Sequence, residues 1–364
     1  MVGIMSQGAS VHVGRHTVSV LRRAMTLGVD WLHEPVSPLR VLVLRRLVYV
    51  FVIVDVLWWH TSGEYHGWID GRWYHPLVIG ELLPLPTPDL TIVQTVKWGC
   101  VATALLALSG RSPRLVGWTV AALWFEYQVI AFSYGKVDHD RWAMLVALVL
   151  LPTVGAVNRR DGRLSERAGW AIRCVQLAVI ATYFYAGWAK LRFGGPEWVN
   201  SATLTRAVVR RGTELAQPLL EAQWILHLSQ WGIMAMELSA PLIFLLNARW
   251  RRWAVAGLLG FHVVTYAMIT IVFLPHVVCL AAFLPLERLV RGAAPAPSEP
   301  SGQVPLPAPR TSGALVGRQR ARRRTAREPA AVLGHQPVDP GGHPRDGRQE
   351  HQPTQPGPGP AAGH

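Results

Sequence analysis

Apolar residues in this chain gather into long runs separated by short polar segments. The runs extend roughly over Leu42–Trp59, Leu90–Leu108, Leu115–Ser133, Trp142–Val157, Ala171–Leu191 and Leu228–Leu246. Most approach the length, about 20 residues, that carries a helix across a bilayer. From Trp253 to Pro285 the chain is apolar without a break. That is too long for one upright span and short for two. Pro275 lies inside it, which predicts a seventh helix and a short eighth joined by a tight break. The pattern therefore predicts an all-α, polytopic transmembrane helix bundle of about eight spans.

The ends differ from this pattern. Val18 to Trp31 reads as an amphipathic helix with Arg22 and Arg23 on its polar face, lying on the inner membrane surface; a frayed terminus is the alternative. Residues 291–364 hold 14 of the 27 prolines and ten arginines, with no Phe, Trp or Tyr. Such a segment buries too little apolar surface to offset its ordering entropy, so a disordered tail is expected. The predicted organisation is a cytoplasmic or interfacial segment over 1–34, a transmembrane domain over 35–290 and the tail over 291–364.

Composition supports the membrane reading. The 364 residues are 50% hydrophobic and 16% charged, and mean hydropathy is +0.22 even with the polar tail included. A soluble domain usually carries about 25% charged residues. A disordered protein, a coiled coil and a disulfide scaffold are excluded. The 16 tryptophans fit membrane–water interfaces, where the ring is buried and the N–H stays wet. A net charge of +14 would suggest nucleic acid in a soluble protein. Here the arginines fall in alternate loops: Arg40, Arg45 and Arg46; Arg111 and Arg114; Arg159, Arg160, Arg163 and Arg167; Arg249, Arg251 and Arg252. By the positive-inside rule those loops and both termini are cytoplasmic in a multi-pass cell-membrane protein, and the expected partners are membrane lipid and no nucleic acid. Arg206, Arg210 and Arg211 fall on the outer side and run against the rule, in a long loop where charge weighs less. Cys100, Cys174 and Cys279 lie in apolar runs without a CxxC, so no disulfide framework or thiolate metal site is indicated. The first forty residues show no cleavable signal peptide.

Ionisable residues inside spans are costly and mark candidate sites. Asp55, Glu126, Glu237, His262 and His276 lie within apolar runs, while Lys190 and His139 fall at the outer ends of spans five and four. The loop residues His60, Glu64, His66, Asp70 and His75 follow no standard zinc spacing, so no metal is expected. Each candidate has a structural alternative. Lys190 can snorkel to the interface. Asp55, Glu126 and Glu237 can serve as interhelical hydrogen-bond partners, and His139 as a satisfied structural histidine.

The stretch Tyr183-Phe-Tyr185-Ala-Gly-Trp-Ala-Lys190-Leu191, followed by Trp198, resembles the signature of the horizontally transferred transmembrane domain family, whose best-known member is vitamin K-dependent gamma-glutamyl carboxylase. Lys136-Val-Asp-His139 is similar to the family's histidine at the head of the preceding span. Glu237-Leu-Ser-Ala-Pro241 resembles its acidic residue and proline in the next span, and Phe261-His262 its Phe-His in the last region. The resemblance covers roughly residues 35–288. It implies a reduced naphthoquinone of the menaquinol type as cofactor. A lysine amine deprotonates the hydroquinone, and dioxygen then converts the anion to an epoxide.

By the same resemblance Lys190 is the catalytic base and His139 its assistant. Tyr183, Tyr185, Trp198, Glu237 and His262 line the substrate. A general base must be unprotonated at working pH, and apolar surroundings favour the uncharged form of an amine. Trp198-Val-Asn-Ser201 departs from the family, which places Gly shortly after the Trp. Where the carboxylase continues into a strand-rich soluble domain, this chain has the Pro- and Arg-rich tail. The expectation is therefore quinol oxidation without peptide carboxylation. A non-catalytic lipid- or quinone-binding scaffold, or a permease component, is the alternative.

Overall fold

The computed structural model describes residues 26–60, 62–134, 137–158 and 162–291. Among them every regular element is a helix, apart from one antiparallel bridge between Val36 and Ser165. The main helices are α1 (Pro38–Val54), α2 (Leu90–Leu108), α3 (Pro113–Phe132), α4 (Trp142–Leu150), α5 (Glu166–Gly194), α6 (Thr203–Arg211), α7 (Gln223–Ser239), α8 (Ala248–Ile269) and α9 (Leu274–Leu280).

Each apolar run of the sequence forms a helix. The last run breaks at Thr270, in the left-handed region at φ 54, and Pro275 sits in the first turn of α9, where its missing N–H costs nothing. Among the described residues, four helices are long and apolar enough to cross a membrane: α2, α3, α8 and α7 continued to Leu245. The expected eight are not all of that kind. α4 and α9 have nine and seven residues. At about 1.5 Å per residue, they are shorter than the roughly 30 Å hydrocarbon core. The expected fourth span, to Val157, stops early because Leu151–Val154 form a 3-10 turn around Pro152. α1 carries Arg40, Arg45 and Arg46, and α5 carries Glu166, Arg167, Arg173, Lys190 and Arg192. α6 arises in a stretch the hydropathy pattern left as a polar loop.

The core is built mainly by α1 to α5 and is joined by α8 and α9, with Trp124, Tyr49, Tyr127, Met144 and Ile172 fully buried. Residues 26–32 are helical, and the remainder of the expected Val18–Trp31 helix lies outside the described residues, as does the tail from residue 292. The chain before α1 docks on α5. A Cβ on Gly169 would stand 2.0 Å from the Glu34 carbonyl oxygen, so only glycine admits that strand of backbone. Arg173 pairs with Glu34 and stacks 4.9 Å over Trp31. Arg40 grips Glu287 with both fork nitrogens, at 2.8 and 2.7 Å.

Candidate functional site

α5 begins at Ser165, whose hydroxyl accepts from the Ala168 N–H, and ends at Gly194-Gly195-Pro196, a strong stop. Its last turns carry Tyr183, Gly187 and Lys190 at helical spacing on one face. That face meets α7. Lys190 Nζ donates to both carboxylate oxygens of Glu237, with Oε2 at 2.6 Å. The Lys190 ammonium also stands 5.1 Å from the Trp198 ring centre. Glu237 is buried, and the Lys190 side chain is 24% exposed, so a route remains from the ion pair to an incoming molecule.

Two turns before Lys190 on α5, the Tyr183 hydroxyl and His262 Nε2 are hydrogen-bonded at 2.7 Å. His276 packs edge-on against Tyr183, with ring centres 4.7 Å apart, and lies 5.7 Å from His262. Neither His276 nitrogen has a partner among the described residues, although the side chain is buried. Phe273 closes the group between His262 and His139, at 5.5 and 6.0 Å.

The opposite side of Lys190 opens into a cleft of about 540 Å³, lined by His139, Trp142, Thr182, Tyr185, Ala186 and Lys190, with Ala189. His139 is exposed, in the three-residue turn His139–Arg141 that precedes α4; Lys136, the first residue of its motif, lies outside the described residues. The structure thus brings His139, Tyr185 and Lys190 to one cleft, and ties Lys190 to Glu237 and Trp198. Tyr183 and His262 sit behind the ion pair. Tyr185 points away from Tyr183, since residues two apart on a helix face opposite sides.

Two residues escaped the sequence reading. Arg141, buried, donates to Asp55. Gln230 is 1% exposed; its amide nitrogen donates to the carbonyls of Val199 and Ser201 at 2.7 and 2.9 Å, and its oxygen accepts the Leu204 N–H at 2.8 Å. It thereby holds the loop that carries Trp198. The available signal was a polar side chain within an apolar run.

The His- and acid-rich loop residues disperse. Glu64 pairs with Lys97, Asp70 caps the turn Gly71–Trp73, and His66 stacks on Tyr134. Among the described residues no three His, Cys, Asp or Glu side chains are grouped to hold a metal ion.

Among the described residues, four helices long and apolar enough to cross a membrane place the chain with helical membrane proteins. The family model of the HTTM domain matches residues 33–287, and the chain is a member of that family. No curated protein and no solved structure matches it.

Proposed function

We propose that this HTTM protein oxidises a reduced naphthoquinone of the menaquinol type within the membrane, with Lys190 as base and His139 assisting. Its carboxylase-like signature motivates the chemistry, and the observation that carries the proposal is Lys190, ion-paired to Glu237 at the edge of the cleft it shares with His139. When bound, a naphthoquinol would supply two hydroxyl protons and four electrons to dioxygen, two from the hydroquinone and two from the ring double bond, so that one oxygen atom ends in the ring epoxide and the other, with both protons, in water.

The residues fit such a group: Trp142 and Tyr185 offer flat aromatic walls, and Lys190 and His139 offer polar atoms at one cleft. Glu237 gives Lys190 a route to its amine form. Shifting the shared proton from Nζ to the carboxylate leaves the pair neutral overall, so no unpaired charge is created in a low-dielectric site. The freed amine accepts a hydroxyl proton presented in the cleft. Trp198 then stabilises the ammonium that results, as an aromatic face does for a cation. His139, on the same cleft, would donate a hydrogen bond to the quinol oxygen that gives up its proton. Tyr183, held by His262, backs the pair and keeps water from it. Peptide carboxylation forms no part of the proposal.

The proposed domain is 35–290, with both termini cytoplasmic and the cleft towards the outer face, as the arginine alternation suggests. One observation favours a scaffold without catalysis: Glu237 and Trp198 both engage the Lys190 ammonium, as a purely structural ion pair would. Oxygen uptake by purified protein with a menaquinol-type naphthoquinol, compared with Lys190→Arg, separates the two readings. Uptake that the variant abolishes supports catalysis. Uptake that it leaves intact refutes it.

A further inference from the structure

We infer that the buried pair Asp55–Arg141 is a positioning device for His139, fixing the turn that forms one wall of the Lys190 cleft. The inference rests on reading that cleft as a reaction site.

The device begins with a break in helical register. After α1 the chain makes one π-helical turn, Asp55–Trp59, closed by the His60 N–H donating to the Asp55 carbonyl at 2.6 Å. A π turn inserts a residue and re-aims the side chains around it, and such turns recur at functional sites. Here it directs Asp55 inward, where it has no exposed surface.

One oxygen of Asp55 then collects three donors. Oδ2 accepts from Arg141 Nη1 at 2.6 Å, from Trp124 Nε1 at 3.0 Å and from Gln128 Nε2 at 3.3 Å. Trp124 and Gln128 lie one turn apart on α3, so α1, α3 and the His139–Arg141 turn meet at a single atom. Arg141 is 7% exposed. A guanidinium that deep is very costly unless paired, so its position is strongly specified by Asp55.

Arg141 closes the turn that His139 opens. Fixing Arg141 therefore fixes His139 two residues away. The turn is also a partition. His139 and Trp142 line the Lys190 cleft on one side and, on the other, a second cleft of about 200 Å³ that Arg141 and Gln128 also line. A shift of the turn would change both spaces and the reach from His139 to a group on Lys190. Arg141 and Asp55 line no part of the Lys190 cleft, so their action runs through His139.

The test removes both charges together, because deleting one would strand the other in the core. Asp55→Asn/Arg141→Gln and wild type are compared in detergent for melting temperature and for His139 modification by diethylpyrocarbonate, read by peptide mass spectrometry with exposed His33 as internal control. Naphthoquinol-dependent oxygen uptake is measured alongside, split into kcat and KM. The expected result is a His139 modification rate changed by about tenfold while that of His33 is constant, with kcat down by about tenfold or more and KM little altered, as for a displaced catalytic group.

Arg141→Lys, which keeps the charge and shortens the reach, should shift the His139 rate in the same direction by less. It carries the test if the double variant fails to accumulate. An unchanged His139 rate in either folded variant would make the pair merely structural and overturn the inference. Absence of oxygen uptake in wild type would count against the proposed reaction, while the His139 rate would still decide the positioning role.

Discussion

Gly187 and Glu237 touch where α5 crosses α7: a Cβ built on Gly187 would lie 3.0 Å from the Glu237 Cβ and 3.2 Å from Leu238. Small residues allow such close approach between membrane helices. The approach brings the Glu237 carboxylate to Lys190, one turn further along the same face of α5. Gly187→Leu should therefore separate the helices and break the ion pair, with an overpacking cost of about 1–3 kcal/mol. A lowered melting temperature together with lost naphthoquinol oxidation is the expected outcome. Unchanged stability would show that α5 and α7 are further apart than described.

Gly169→Ala should be more damaging than Gly187→Ala. At Gly169 the added methyl meets backbone, the Glu34 carbonyl oxygen at 2.0 Å, whereas at Gly187 it meets side-chain carbons that can shift. Limited proteolysis should cut the 26–37 segment faster in Gly169→Ala. Equal cleavage in the two variants would contradict the docking of that segment on α5.

The helices were legible because an apolar run of nearly twenty residues admits little else. Whether each run faces lipid or protein was not legible. The runs that became α4 and α9 look like spans by hydropathy, yet they form short helices with Met144, Leu148, Cys279 and Leu280 in the protein core. Lys190 stood out through its motif with Ala186 and Gly187. Glu237 stands out as an acidic residue within a span, but its pairing with Lys190 is not legible, because the two are 47 positions apart and only the α5–α7 packing joins them. Of the two roles open to Asp55 in the sequence, candidate site or interhelical hydrogen-bond partner, the structure gives it the hydrogen bonds of the second, from Trp124 and Arg141. Arg141 was missed because an arginine heading an apolar run resembles an ordinary interfacial anchor until its burial is known. Gln230 is a polar side chain inside an apolar run, but its role is to hold the backbone of a distant loop, which only the fold reveals.

Gln230→Leu should free that loop. The substitution leaves the Leu204 N–H and the Val199 and Ser201 carbonyls without their partner, costing about 1–3 kcal/mol for each group that stays buried. Trp198 should lose its fixed place over Lys190, giving a red-shifted or more quenchable component in tryptophan emission that a Trp198→Phe background removes. Unaltered emission and stability would show that the loop is held by other contacts.

Acid should weaken the loop segment at Glu64. Lys97 donating at 2.6 Å, with Gln94 at 3.0 Å, holds the Glu64 carboxyl below its ordinary value of 4.5. A carboxylate with a depressed folded value contributes stability above its unfolded value and loses it as pH falls through the folded one. The melting-temperature advantage of wild type over Glu64→Gln should therefore hold near neutrality and shrink below 4.5. A constant advantage through that range would contradict the pairing.

The central claim is that Lys190 acts as a base and not merely as a charge. Arginine keeps charge and reach but stays protonated at any accessible pH, so Lys190→Arg distinguishes the two. The decisive measurement is naphthoquinol-dependent oxygen uptake by wild type and Lys190→Arg, both shown to be folded by equal melting temperatures. The account predicts uptake by wild type and a rate lowered by about 10²–10⁴-fold in the variant, the usual loss for a general base. Equal uptake by the two proteins would contradict it, and would leave Lys190 as a structural partner of Glu237.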